Sequence, residues 1–213
     1  MWVKIKATDS KSSNLNKKSC KKSLGWHNIG FTLLLLTLLC QPLQKMNLDF
    51  KNSLSNLTFT CINCNSLNMS NMGTEKQKVK LYGIVSTRSD IIMLSDIRLG
   101  NNQGVSCAHE LEKLFSVTPY GNYKFLHNSN SSSRGVGILI NNKINFSVIE
   151  TKGDEAGNIL LVSAEINGNK ITLGAIYGPN QTDETFFGDL RSYLTELGDQ
   201  PVIIGGGLEL YLQ

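Results

Sequence analysis

An α/β fold is predicted by three features of this 213-residue sequence. From Leu57 onward, short β-branched runs alternate with amphipathic stretches. One pair of runs is separated only by Asn167-Gly168, a two-residue hairpin signal. Asp183–Leu197 (DETFFGDLRSYLTEL) has acids in its first turn and a stripe of Phe186, Phe187, Leu190, Leu194 and Leu197. With 40% hydrophobic and 18% charged residues, the chain has the material for a buried core, and disorder throughout is excluded.

The elements follow in order. Leu57–Ile62 (LTFTCI) alternates and is β-branched, which predicts a strand. Glu75–Ser86 carries Val79, Leu81, Ile84 and Val85 at helical spacing. Asp90–Leu94 (DIIML) predicts a buried strand, and Ala108–Phe115 a short helix with Leu111, Leu114 and Phe115 on one face. Five strands are then expected in succession: Tyr123–His127, Gly135–Ile140, Asn145–Glu150, Ile159–Ile166 and Lys170–Tyr177. The helix at Asp183–Leu197 stops at Gly198, and Pro201–Ile204 opens a last strand that runs into Gly205-Gly206-Gly207.

The formal net charge of +4 does not describe the domain. Lys4, Lys6, Lys11, Lys17, Lys18, Lys21, Lys22 and Lys45 are met only by Asp9 in residues 1–46, so the rest of the chain is net acidic. Bulk charge therefore gives no basis for nucleic-acid binding. Residues 1–28 read as a disordered basic leader, 29–46 as a short hydrophobic segment and linker, and 57–209 as the domain. The apolar run at 29–40 (IGFTLLLLTLLC) is well short of the ~20 residues of a bilayer span. It fits a signal peptide, a short membrane anchor or a translated upstream leader with no role of its own. As a signal or anchor it implies a secreted or membrane-attached protein with membrane contact through 29–40. Five unevenly spaced Cys do not form a disulfide scaffold.

Polar residues follow the predicted strands. Asn63-Cys64-Asn65-Ser66 follows the first and Ser95-Asp96-Ile97-Arg98 the second. Tyr177-Gly178-Pro179-Asn180 follows the hairpin, and Gly207-Leu208-Glu209 the last strand. An amide, a carboxylate and a phenol at strand ends suit a hard cation and a phosphate, because Mg²⁺ takes oxygen ligands and keeps open positions for phosphate oxygens. Cys61-x-x-Cys64 has no second pair with which to complete a tetrahedral zinc site. Gly135-x-Gly137 and Gly205–Gly207 lack the flanking residues of a dinucleotide fingerprint and a P-loop, respectively.

Six stretches in this order (FTCINCNSLNMS, SDIIMLSDIRL, RGVGILI, ITLGAIYGPN, the FF-x-x-L helix and PVIIGG) resemble the endonuclease/exonuclease/phosphatase superfamily. The likeness is to the apurinic-type endonuclease domain of LINE-type (non-LTR) retrotransposons, and it covers roughly residues 57–206. It implies a four-layered α/β sandwich that nicks DNA with Mg²⁺, and a nuclear or cytoplasmic location. By the same resemblance Asn63 is a metal-site and catalytic position, Asp96 a metal ligand in place of the family's Glu, and Tyr177 a catalytic position. A membrane-tethered phosphatase-like relative is the alternative enzyme reading.

The resemblance then breaks. The family's Gly-Gly-Asp-x-Asn is here Gly205-Gly206-Gly207-Leu208-Glu209, so Gly207 stands for the water-orienting Asp and Glu209 for a phosphate-side Asn. Neither His109 nor His127 lies where the family places its catalytic His. The family's remaining ~80–100 residues, an ordinary half-domain, lie beyond Gln213. They are expected to supply the second sheet. The expectation is a decayed, non-catalytic fragment with weak nucleic-acid contact, in which the inner face of Gly135–Ile140 is uncovered and the chain is poorly soluble.

Overall fold

Alternation along each strand sorts apolar side chains onto two faces, and both faces are covered. The computed structural model describes residues 56–67, 75–99, 104–129, 133–179 and 184–207. The leader, the apolar run at 29–40 and Glu209 lie outside them. Among the described residues the elements are β1 (Phe59–Asn63), α1 (Glu75–Val85), β2 (Ile91–Ser95), α2 (Gly104–Ser116), β3 (Tyr123–Asn128), β4 (Val136–Asn141), β5 (Phe146–Gly153), β6 (Ile159–Ile166), β7 (Asn169–Tyr177), α3 (Glu184–Leu197) and β8 (Val202–Gly207).

They form two four-stranded mixed sheets, β1-β2-β4-β3 and β5-β6-β7-β8. Each sheet contains one parallel pair, β1 with β2 and β7 with β8, and each pair is joined through a helix, α1 or α3. The remaining pairings are antiparallel. Asn167 and Gly168 take φ of 50° and 79°, the two positive values that a tight hairpin turn between β6 and β7 requires.

Odd and even positions divide between the layers. Ile92 and Leu94 of β2 and Leu139 of β4 pack under the helices with Leu81, Ile84 and Val85 of α1 and Leu111 and Phe115 of α2. Ile91, Met93, Ile138 and Ile140 turn the other way, onto Leu160, Val162 and Ala164 of β6 and Ile171, Leu173 and Ala175 of β7. Ile159, Leu161 and Ile176 face outward against Phe186 and Leu190 of α3. The result is a four-layered α/β sandwich: helices, sheet, sheet, helix.

This corrects the expectation that the second sheet lies beyond the chain. β5–β8 supply it, and Val136, Ile138 and Ile140 are fully buried against it. The ground for poor solubility, an uncovered inner face, is thereby removed. Two helix positions are also corrected: Val79 and Leu114 belong to the exposed face, and the buried stripes are Leu81, Ile84 and Val85 in α1 and Leu111 and Phe115 in α2. Helix α2 starts four residues before the predicted Ala108, and β5 runs past Glu150 through a register shift between Val148 and Glu150. Among the described residues no helix is long and apolar enough to cross a membrane.

Ile138→Ala should cost about 2–5 kcal/mol, since the cavity opens between two rigid sheets. Val79→Ser, on the exposed face of α1, should stay within about 0.5 kcal/mol. Urea unfolding midpoints of the two variants check both.

Candidate functional site

The strand pairings bring four predicted tips to one end of the sandwich. Asn63, the last residue of β1, pairs with Ser95, the last of β2. Tyr177, the last of β7, pairs with Gly207, the last of β8. A Cβ on Gly207 would lie 3.7 Å from Ser95 Oγ across the sandwich and 3.8 Å from Tyr177 Cδ2 on the neighbouring strand.

The three terminal glycines of β8 have different causes. At Gly205 a Cβ would run into Cys61 Sγ and Met93 Sδ, because the two sheets approach closely there. At Gly206, with φ of 149°, it would overlap the Ile176 carbonyl. Gly207 has neither constraint: its φ is not left-handed, and a Cβ there would make only ordinary contacts with Ser95 and Tyr177. Side-chain packing thus demands glycine at 205, backbone overlap demands it at 206, and position 207 tolerates a Cβ.

Three adjacent loops extend the first sheet beyond its strands. Cys64, Ser66 and Leu67 donate backbone N–H groups to the carbonyls of Ser95, Asp96 and Ile97 at 2.8, 2.8 and 2.7 Å. On the other side Ile97 donates to Gly135 and Arg98 to Arg134, at 3.0 and 2.7 Å. Asn63 Oδ1 accepts the Asn65 N–H at 3.0 Å, an Asx turn that ties the amide to its own loop. From α1, Lys80 Nζ donates to the carbonyls of Asn65 and Ser66 and holds that loop down. Asn65, Ser66, Asp96, Arg98 and Arg134 all have left-handed φ, between 44° and 69°. Such backbone stores roughly 1–3 kcal/mol per residue, less for Asn and Asp, and persists only where the surroundings over-determine it.

The carboxylate of Asp96 is 4% exposed and fully engaged. Arg98 Nε donates to Oδ1 at 2.6 Å and Nη2 to Oδ2 at 2.8 Å, a side-on bidentate pair. The Arg98 side chain is 40% exposed. Hydrogen bonding to Asp96, then the Asp96 charge, holds the guanidinium above its ordinary pKa, and Tyr177 is near enough to add to this. Tyr177 is half-buried, and its N–H donates to the Asn158 carbonyl at 2.8 Å. Asn158 is buried and accepts Arg134 Nη1 on Oδ1 at 3.2 Å, so the Arg134 loop is tied to the second sheet.

These residues do not fit a Mg²⁺ ion. Its hard coordination sphere needs carboxylate oxygens open to it, and both oxygens of Asp96 are taken by Arg98. Gly207 supplies no oxygen from a side chain. Among the described residues no three His, Cys, Asp or Glu side chains gather as a metal cluster. The Cys61-x-x-Cys64 thiols face opposite sides of the sheet, Cys61 toward the sandwich and Cys64 toward the helices, so they cannot share an ion. Burial pushes the Cys64 thiol up to about 12 and raises Cys61 as well.

A shallow cavity of about 300 Å³ lies further along the same rim, lined by His127, Asn128, Thr151, Lys152, Gly153, Asp154, Glu155 and Leu160. It contains none of the predicted site residues. Its polar groups brace the sheets: Asp154 Oδ1 accepts the N–H groups of Asn158 and Ile159, both at 2.7 Å, and Asn128 Nδ2 donates to the Asp154 and Ile159 carbonyls, both at 2.8 Å. Burial lowers the His127 pKa, with Glu112 opposing.

The structure places Asn63, Asp96, Tyr177 and Gly207 at the same end of the sandwich, with Gly207 beside Ser95 and Tyr177, the Asp96 carboxylate held by Arg98 and the Asn63 amide turned onto its own loop. Sequence reading weighs Arg98 and Arg134 as phosphate contacts and favours solvated surface arginines for both, and it passes over Asn158. An acid and a base two residues apart, Asp96-x-Arg98, is the signal that the sequence offers.

No family model matches the sequence, and no curated protein matches it. Among solved structures it is similar to a humanized D. rerio TDP2 carrying 14 mutations (16% identity, 70% of this chain and 61% of that one, TM-score 0.46). It is also similar to an AP endonuclease from Archaeoglobus fulgidus (14%, 70% and 56%, TM-score 0.45). A third is the endonuclease domain of TRAS1, a telomere-specific non-LTR retrotransposon (14%, 70% and 59%, TM-score 0.46). All three have the endonuclease/exonuclease/phosphatase fold. The chain spans about three fifths of the length of these structures.

Gly206→Ala should destabilise the protein by about 1–3 kcal/mol or more through overlap with fixed backbone, while Gly207→Ala should stay within about 0.5 kcal/mol. Chemical denaturation of the pair tests whether only the first glycine is structural. Cys64 should resist iodoacetamide at pH 8 in the folded chain and react on unfolding, as read by peptide mass mapping. Because folding raises its pKa, the stability tied to the buried thiol is intact below the ordinary thiol range. It is lost as pH climbs from there toward about 12.

Proposed function

We propose that this chain is a non-catalytic derivative of a nucleic-acid endonuclease domain of the non-LTR retrotransposon type, which retains phosphate contact at its strand tips. The meeting of Asn63, Asp96, Tyr177 and Gly207 at one end of the sandwich carries this reading. Six sequence stretches in family order support the ancestry, and each of those four residues stands at a position that the resemblance assigns to the site.

Two features support loss of catalysis. Gly207 has room for a side chain directed into the tip cluster and has none, so no group there orients or deprotonates a water. A positioned general base is worth roughly 10²–10⁴ in rate. The second feature is Arg98, which occupies the carboxylate that Mg²⁺ would need. Residues acting as a unit fail as a unit, so the two defects are not repaired one at a time. DNA is the partner this reading implies, with the phosphate backbone as the feature contacted.

Supercoiled plasmid incubated with the full chain and Mg²⁺ should show no nicking above background. Gly207→Asp alone should not change that, because Arg98 still holds Asp96. Nicking by the unaltered chain that disappears in Asn63→Ala would overturn the proposal.

A further inference from the structure

We infer that Arg98 is the resident cation of the strand-tip site, and that the site takes a phosphate oxyanion of a nucleic-acid strand on the outer edge of this guanidinium, without a metal ion. The inference rests on the nucleic-acid reading above and adds how the contact is made.

The geometry assigns each edge of Arg98 a task. Nε and Nη2 grip Asp96 side-on at 2.6 and 2.8 Å. Nη1 takes no part in that grip, and the side chain is 40% exposed, so the guanidinium presents an outer edge to solvent. A guanidinium fixed along one edge is pre-oriented along the other, which lowers the ordering cost of gripping a second oxyanion. Burial matters equally. Asp96, at 4% exposure, leaves no open carboxylate oxygen to repel a phosphate, and Arg98 offsets its charge.

Neighbouring groups support the same ligand. The Arg98 N–H donates to the Arg134 carbonyl at 2.7 Å, so a second arginine is paired with the first in the backbone ladder. Arg134 is exposed, and its Nη1 rests on Asn158 of the facing sheet at 3.2 Å. Tyr177 lies close enough to Arg98 to influence its charge, and a phenol hydroxyl suits hydrogen bonding to a phosphate oxygen. A divalent cation at the same place would have to displace Arg98 from a buried carboxylate and leave the guanidinium beside the ion. Metal and arginine therefore compete for Asp96, and the arginine is covalently tethered.

Asp96→Asn separates the two possibilities because they predict opposite signs. The probe is a fluorescein-labelled single-stranded oligodeoxynucleotide, read by anisotropy with the full chain, in Mg²⁺ and in EDTA. The basic leader contributes equally to every variant, so differences between variants report the site. Asp96→Asn removes the negative charge beside the guanidinium while keeping an acceptor that orients it, and should tighten binding several-fold, equally in Mg²⁺ and EDTA. Arg98→Gln should weaken it about tenfold and lower the slope of log K against log salt by about one phosphate contact. If Arg98→Gln fails to fold, Asp96→Asn still decides, since it keeps the volume and one acceptor for Arg98. Weaker binding by Asp96→Asn, loss of wild-type binding in EDTA, or identical binding by all three proteins would overturn the inference. Cleavage of the oligonucleotide in Mg²⁺ defeats the proposal of a non-catalytic domain instead, and gel electrophoresis of the recovered probe distinguishes that failure.

Discussion

The close seating of two parallel strand pairs, β1–β2 against β7–β8, is the constraint on which the rest depends. A side chain at Gly205 would collide with Cys61 and Met93, so the separation of the sheets at that point is set by the absence of a Cβ. That separation places Gly207 near Ser95 and brings the ends of four strands into one rim. Inward residues from β2, β4, β6 and β7 fill the remainder of the interface.

The fold was legible because its signals are local. The near-continuous apolar runs of Ile91–Ser95 and Ile159–Ile166 follow from burial on both faces of a strand covered on both sides. The Asn167-Gly168 turn follows from φ alone. Boundaries slipped where tertiary contacts extend an element, as at the start of α2 and the bulged end of β5. Val79 and Leu114 were misassigned because an apolar residue on an exposed helix face looks, in sequence, like one more member of the stripe. The second sheet was sought beyond Gln213 although its four strands stood in the parse, because strand count does not say which strands share a sheet.

The site was legible in part. Positions following strands are read easily from sequence, so Asn63, Asp96, Tyr177 and Gly207 could be named as tips. What they do depends on side-chain direction over non-glycine residues with positive φ, which no alternation rule describes. Arg98 illustrates this. Its sequence neighbourhood suggests a solvated arginine, yet φ of 58° at Asp96 and 50° at Arg98 folds the two side chains onto each other.

The Asp96–Arg98 pair also explains how the rim can remain ordered without a metal. A buried carboxylate without a counter-charge is strongly destabilising, by roughly 3–5 kcal/mol when its partner is removed, and toward the lower end here because Arg98 is partly solvated. In a metal-dependent site the ion supplies that counter-charge. Here a side chain two residues along supplies it. The apolar interface and the Asp96–Arg98 pair maintain the sandwich, while Gly207 can carry or lack a Cβ at little cost to the fold.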